Sequence, residues 1–419
     1  MSLRGSVPLL GILVLVGAAI VGPTAAQPLP LAAWTQIGPG GSVIARAVTS
    51  GACPSGLVAG RSRPMEIRAP AAPNFPVTAC ELVLGPKPAA FSVAGAPVPR
   101  AAVRKIVVVG DTGCRIKQLK KRVEFQACND PAQWPWATIA ASAAAWGPDL
   151  VIHVGDLLYR EVACPAGQSG CANSPWGYNW TTNNVDFFIP AKPLLAAAPW
   201  IFVRGDHEAC GRNGAAWFMF FDPRPRSGAC LAFTGPYNVP LGNQDVVVLD
   251  SSGAGDDQVN AGQVGTYAQQ FKASGQLIAR TGWLLSHKPV WGIFKRNKKG
   301  QVFSDNPTLA AAAAQALPAS VQMVLSGHIH FLQVLTYVGR PPQVVVGNSG
   351  TLRIPAVKGP LAGTSVAGTP VASGRVLEEF GFLTLQAISG GWQVTARDRR
   401  GAPLMQCTLI GRVLACPPQ

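Results

Sequence analysis

The sequence predicts an α/β fold built on parallel strands, preceded by a small β-rich domain. Three observations lead there. Short apolar runs recur that stop at a polar pair, as in Leu150-Val151-Ile152-His153-Val154-Gly155-Asp156 and Ile106-Val107-Val108-Val109-Gly110-Asp111. Continuous apolar runs of this length suit strands buried on both faces of a parallel sheet. Between these two runs, Trp134 to Trp146 is Ala-rich and helix-compatible, giving a strand–helix–strand unit. Finally, residues 27–100 carry short alternating apolar runs, many Pro and Gly, and no long helical period.

Taken in order, Met1 to Ala26 has the layout of a signal peptide: Arg4, an apolar run, then Pro23-Thr24-Ala25-Ala26 before an expected cut ahead of Gln27. Pro8 and several glycines interrupt the run, which argues against an uncleaved anchor. No later stretch is long and apolar enough to span a bilayer, so no stable membrane insertion is expected once the signal is removed. The ten cysteines are even in number and fall as Cys53/Cys80, Cys114/Cys128, Cys164/Cys171, Cys210/Cys230 and Cys407/Cys416. In an exported chain, secreted or periplasmic, they read as disulfides. Cys114 and Cys210 stand where such bonds could pin two of the polar loops described below.

Residues 27–100 form the expected small N-terminal domain, and 101–419 the main domain. Further apolar runs end at Trp200-Ile201-Phe202-Val203-Arg204-Gly205-Asp206-His207-Glu208, Val248-Leu249-Asp250, Leu284-Leu285-Ser286-His287, Leu325-Ser326-Gly327-His328-Ile329-His330 and Val346-Gly347-Asn348. Repeated endings in Asp, His or Asn place a site along one edge of the sheet, where open α/β sheets bind ligands. After Thr351 comes a Gly/Pro/Val-rich connector, then β hairpins over 376–419 turning at Gly390-Gly391.

The net charge of +15 favours anionic ligands, although only 13% of residues are charged, so it reflects a shortage of acids. Two basic runs follow polar strand ends: Arg115, Lys117, Lys120, Lys121 and Arg122, then Lys295, Arg296, Lys298 and Lys299. Aromatic interleaving is poor in both, so specific nucleic-acid binding is not expected.

The five histidines carry the chemistry. Four lie at strand ends, while His153 lies within a strand and reads as structural. Asp111, Asp156, Tyr159, Asp206, His287, His328 and His330 make a mixed oxygen and imidazole set, too rich in imidazole for magnesium or calcium and without thiolate. Iron, zinc and manganese suit it. Asp156 is the candidate to bridge two metal ions, which together can clamp a phosphoryl oxygen for in-line displacement. His328 and His330 have i, i+2 spacing, which puts both rings on one face of an extended segment.

The ordered motifs Gly110-Asp111-Thr112-Gly113, Gly155-Asp156-Leu157-Leu158-Tyr159, Gly205-Asp206-His207-Glu208, Leu284-Leu285-Ser286-His287 and Gly327-His328-Ile329-His330 resemble those of the calcineurin-like metallophosphoesterases, over roughly residues 100 to 350. Within these they look most like the purple acid phosphatase branch. The resemblance implies a β-sandwich flanked by helices with its site at the strand ends. It implies Asp111, Asp156, Tyr159 and His330 around one iron, normally Fe(III), and Asp156, Asp206, His287 and His328 around a divalent Fe, Zn or Mn. His207 would face the leaving group and act as an acid or hydrogen-bond donor, with Glu208 orienting its ring. Arg160, Asp250 and Asn348 are weaker candidates for binding substrate.

This sequence departs from the family at Asp206, where asparagine is usual. The added negative charge is expected to hold the divalent metal more firmly and to oppose an incoming phosphate dianion. The function expected is an exported two-metal phosphoesterase that acts on a small phosphorylated substrate by metal-activated hydroxide attack, most simply an acid phosphatase-like monoesterase. The residues leave open a phosphodiesterase or nucleotide-cleaving enzyme, and a secreted non-catalytic phosphate-binding protein in which Asp206 has ended turnover.

Overall fold

The computed structural model describes residues 1–2, 30–256, 258–297 and 302–417. Apart from its first two residues, the expected signal segment 1–26 lies outside the described residues, as do Lys298 and Lys299.

Two sheets face each other. The first has eleven strands, in the order Val413–Ala415, Pro403–Ile410, Gly391–Asp398, Gly381–Ile388, Lys105–Val109, Leu150–His153, Trp200–Phe202, Ala32–Ile37, Val43–Thr49, Thr78–Gly85 and Glu66–Ala69. The second has eight, with Gln244–Val248, Gly282–Leu285, Val321–Ser326 and Gln343–Val346 side by side and parallel. In the first sheet the three strands that carry Gly-Asp endings are likewise parallel, with His153 opposite both Val109 and Phe202.

Alternation along these strands explains the unbroken apolar runs. Ile106, Val108, Leu150 and Ile152 join a core shared with Val246, Val248, Trp283 and Leu325 of the other sheet. Their neighbours Val107, Val109 and Val151 point the opposite way, under the helices Trp136–Ala145 and Ile189–Ala197. The outer face of the second sheet is covered by Ala261–Gln276 and Pro307–Ala316 through Phe271, Leu309 and Ala312. Each of these central strands therefore has two dry faces, and the fold is a β-sandwich flanked by helices. Asn260 and Asn306 cap the two covering helices through side-chain oxygens that accept from Gln263 and Leu309 amides.

The β-rich character of 27–100 is present, but its strands do not form a sheet apart. Ala32–Ile37 pairs in parallel with Trp200–Phe202, and three more strands extend the same sheet. Only Ser55–Val58, Arg61–Pro64 and Phe91–Ser92 make a separate three-stranded sheet. The physical reason is an open edge: the Trp200–Phe202 strand has backbone groups that need partners. The join is locked by two buried arginines. Arg46 donates to the carbonyls of Phe220 and Asp222, and Arg68 to those of Phe218, Met219 and Asp222. The five cysteine pairs anticipated from their spacing are all formed, and the tail hairpin turns with Ile388 opposite Gly391.

Candidate metal centre

The loops after five parallel strands converge at one edge of the sandwich. Asp111 and Asp156 follow strands of the first sheet, as does Asp206, and His287 and His328 follow strands of the second. Asp111, Asp156 and His328 all have positive φ, at 55°, 61° and 71°. Such conformations cost about 1–3 kcal/mol each and persist only where the surroundings over-determine them. Here the Asp111 amide donates to Gly155 carbonyl at 2.9 Å and the Thr112 amide to Asp156 carbonyl at 3.1 Å. The motif glycines are needed for close approach: a Cβ on Gly205 would lie 2.0 Å from Asp156 Oδ1, and one on Gly155 2.4 Å from His287 Nδ1.

The side chains form two clusters that share Asp156. In one, the Tyr159 hydroxyl lies 2.8 Å from Asp111 Oδ1, 2.6 Å from Asp156 Oδ2 and 3.1 Å from His330 Nε2. A phenol has one proton and cannot donate to both carboxylates, so this crowding fits groups gathered around a cation. In the other, His287 Nε2 is 3.3 Å from Asp156 Oδ1 and 3.2 Å from Asp206 Oδ1, while His328 Nδ1 is 3.0 Å from Asp206 Oδ1. Ligand atoms of Asp156, Asp206, His287 and His328 all lie within 4.8 Å of one another. The seven residues expected to hold metal are thus brought together, and their oxygen and nitrogen donors fit iron, zinc or manganese.

The electrostatics point the same way. Burial above all, with Asp156 behind it, pushes Asp111 up to about 7 against the pull of His287. Burial and Asp206 act to raise Asp156, but His287 and His207 outweigh them and hold it below the usual carboxylate range. Burial pulls His287 down, yet Asp156 and Asp206 hold it well above its ordinary value. Likewise His328 is driven up to about 10, against burial, by Asp305, Asp206 and Asp256. His330 differs: burial, aided by Arg115, holds it down at about 3. Its Nδ1 donates to Leu352 carbonyl at 2.8 Å, which leaves Nε2 as a lone-pair donor facing Tyr159. His287 is oriented in the same manner, with Nδ1 donating to Val154 carbonyl at 2.8 Å.

Several positioning residues carry no sequence signal that pattern reading could use. Asp186, in the π-helical turn Asn184–Phe188, accepts from the amides of Cys114 and Tyr159 at 3.1 and 2.9 Å and from Arg160 Nε at 2.6 Å, so it ties the Asp111 and Tyr159 loops together. Asp256 and Asp305 face His328 Nε2 at 3.7 and 4.0 Å. Glu208 holds the Asp156 loop rather than the His207 ring: it accepts from the amides of Asp156 and Leu157 at 3.0 and 2.9 Å. The His207 ring is set instead by Leu158 carbonyl and Glu161, each 3.0 Å from Nδ1, and lies 3.9 Å from the Tyr159 ring.

The three weaker substrate candidates all lie in buried polar surroundings. Arg160 is buried against Asp186 and Ser174 and stacks 4.8 Å from Trp134. Asp250 accepts from Arg204, Thr234 and Ser252. Asn348 is buried and donates to Glu379 carbonyl at 2.7 Å. Arg160 and Asp250 thus satisfy buried polar groups, whereas Asn348 Oδ1 is buried with no hydrogen-bond partner. Of the basic runs, Arg115 comes to the site, 5.9 Å from the Tyr159 ring centre, whereas Lys295 is exposed between Phe294 and Phe303.

His153 is structural, as its mid-strand position suggested, with Nε2 3.0 Å from Thr112 Oγ1 and Nδ1 accepting from Gly155 amide. Burial holds it down at about 3, from 6.5. The unfolded chain therefore binds the proton first, and His153 makes stability fall as pH drops from about 6.5 toward about 3. Melting temperature against pH is expected to be flatter over this window for His153→Gln than for wild type. Parallel curves would contradict it.

Paired sheets with carboxylates and imidazoles gathered at the carboxyl ends of their parallel strands define a sandwich with a candidate cation site. The family model described as Calcineurin-like phosphoesterase matches residues 104–332, and the chain belongs to that family. Among solved structures, it is similar to the purple acid phosphatase PPD1 from yellow lupin (Lupinus luteus) seeds, with a TM-score of 0.54 and 14% identity over 89% of this chain and 73% of that one. It is also similar to the structure of PhoD, with a TM-score of 0.53 and 12% identity over 95% of this chain and 94% of that one. At these identities the likeness shows the fold alone. No curated protein matches the sequence. No helix among the described residues is long and apolar enough to cross a membrane.

Proposed function

We propose that this chain is an extracytoplasmic two-metal phosphoric ester hydrolase, acting on small phosphate monoesters in the manner of an acid phosphatase. The observation that carries the reading is the pair of donor clusters joined through Asp156. Asp111, Asp156, Tyr159 and His330 would hold a ferric ion, and Asp156, Asp206, His287 and His328 a divalent Fe, Zn or Mn. When bound, the two cations supply Lewis acidity toward a phosphoryl oxygen and lower the pKa of water. The protein's own residues do the rest. Asp156 fixes the spacing of the two clusters, and the Leu158 carbonyl and Glu161 occupy His207 Nδ1. That leaves His207 Nε2, 3.8 Å from Asp156 Oδ2, as the atom able to pass a proton to a departing alkoxide. The five disulfides support an oxidising compartment.

The test is metal analysis and a visible spectrum of the purified protein, with hydrolysis of 4-nitrophenyl phosphate set against its bis ester. Two metals per chain, one of them iron with a tyrosinate charge-transfer band, and a preference for the monoester are expected. Preference for the bis ester would make it a phosphodiesterase. Failure to hold stoichiometric metal after supplementation would overturn the hydrolase reading.

A further inference from the structure

We propose that Arg212 is the charge partner of Asp206, offsetting the negative charge that an incoming phosphate would meet there, so that Arg212 sets cation and phosphate affinity in opposite directions. This rests on the phosphoesterase reading above.

Asp206 is the most open carboxylate of the two clusters, its side chain 22% exposed against 2% for Asp156 and 0% for Asp111. A negative charge there would face an anion arriving from solvent. The carboxylate is split by direction. Oδ1 faces inward to His328 Nδ1 at 3.0 Å and His287 Nε2 at 3.2 Å, while Oδ2 accepts from Arg212 Nη1 at 2.7 Å. Arg212 is itself fixed: Nε donates to Glu161 Oε1 at 2.9 Å, Nη2 also binds that oxygen, and its amide donates to Ala209 carbonyl at 2.9 Å. The same Glu161 oxygen is 3.0 Å from His207 Nδ1. Arg212 thus links the carboxylate beside the metal site to the ring that would protonate the leaving group.

The contrast with other buried arginines is informative. Arg46 and Arg68 donate mainly to backbone carbonyls of residues 218–222, as anchors do. Arg212 donates to two carboxylates at the rim and stays 21% exposed, and half-buried Lys117 is close enough for Arg212 to help lower its pKa, behind burial. Asp156 is a further charged neighbour of this group, and Tyr178 also lies against Arg212. A guanidinium beside Asp206 weakens the carboxylate's hold on a cation and removes its repulsion of an anion. The cost expected from an aspartate at this position is therefore offset within the site.

The experiment compares wild type, Arg212→Met, Arg212→Lys, Asp206→Asn and the double variant Asp206→Asn/Arg212→Met by calorimetric titration. Mn²⁺ is titrated first, then inorganic phosphate into the metal-loaded proteins. Arg212→Met is expected to weaken phosphate binding about tenfold while holding Mn²⁺ as tightly as wild type or tighter. Arg212→Lys should keep phosphate affinity within about threefold of wild type. In the double variant the loss should be recovered to within about threefold, because residues in direct contact couple. Unchanged phosphate affinity in Arg212→Met, or a loss that Asp206→Asn does not repair, would overturn the proposal and leave Arg212 a loop anchor. A wild type that binds neither Mn²⁺ nor phosphate would overturn the underlying hydrolase reading, which separates the two failures.

Discussion

Asp156→Ala is expected to lose both metals and at least about 10³-fold in turnover of a phosphate ester. Among the described residues no other side chain belongs to both clusters: one oxygen is 2.6 Å from the Tyr159 hydroxyl and the other 3.3 Å from His287 Nε2. Oδ1 also accepts from the His207 amide at 3.0 Å, so truncation loosens the Asp206-His207 turn as well. What remains is a set of imidazoles and two carboxylates with nothing between them to bridge two ions. Elemental analysis and activity check the prediction, with circular dichroism to show that the fold persists. A variant that keeps two metals per chain would remove Asp156 from its central place.

Asp186→Ala is expected to cost about 3–5 kcal/mol in stability, because it leaves a buried guanidinium without its counter-charge. Arg160 would retain only Ser174 Oγ at 2.8 Å and its stacking on Trp134. The amides of Cys114 and Tyr159 would lose their acceptor in the same stroke, although both are buried. Asp186→Asn keeps the shape and one acceptor oxygen and is expected to cost less. Urea unfolding of the two variants and wild type measures the difference. A loss below about 1 kcal/mol for Asp186→Ala would show that the two loops are held by other means.

Much of the site was legible because strand ends announce themselves. An apolar run that stops at Gly-Asp or Gly-His is visible in one dimension, and Asp111, Asp156, Asp206 and His328 each follow such a run. The supporting groups are not visible in that way. Asp186 sits among aromatic residues in a helical turn, Glu161 follows the metal-motif segment without a pattern, and Asp256 and Asp305 come from separate loops. Their roles arise from proximity across 23 to 72 positions of chain, as between Asp305 and His328 or Asp186 and Cys114. The N-terminal strands show the same limit in the fold. Alternation marks Val43–Thr49 as a strand, but only three-dimensional packing shows that its neighbour Ala32–Ile37 adds to the edge at Trp200–Phe202. Glu208 shows how adjacency misleads: it neighbours His207 in sequence, yet its oxygens face the Asp156 loop.

The site is drawn from both sheets, and this has a consequence for the whole molecule. Asp111, Asp156, Tyr159 and Asp206 belong to one sheet, and His287, His328 and His330 to the other. The protein's own hydrogen bonds knit the seam there, with His287 Nδ1 on Val154 carbonyl and the His328 amide on Asp111 Oδ2 at 3.0 Å. An ion gripped from both sides is a rivet through the sandwich. Prising the sheets apart would first require releasing it, so its affinity is shared between reaction and cohesion. Scarcity of metal would then be felt as lost durability before the chemistry is asked for at all.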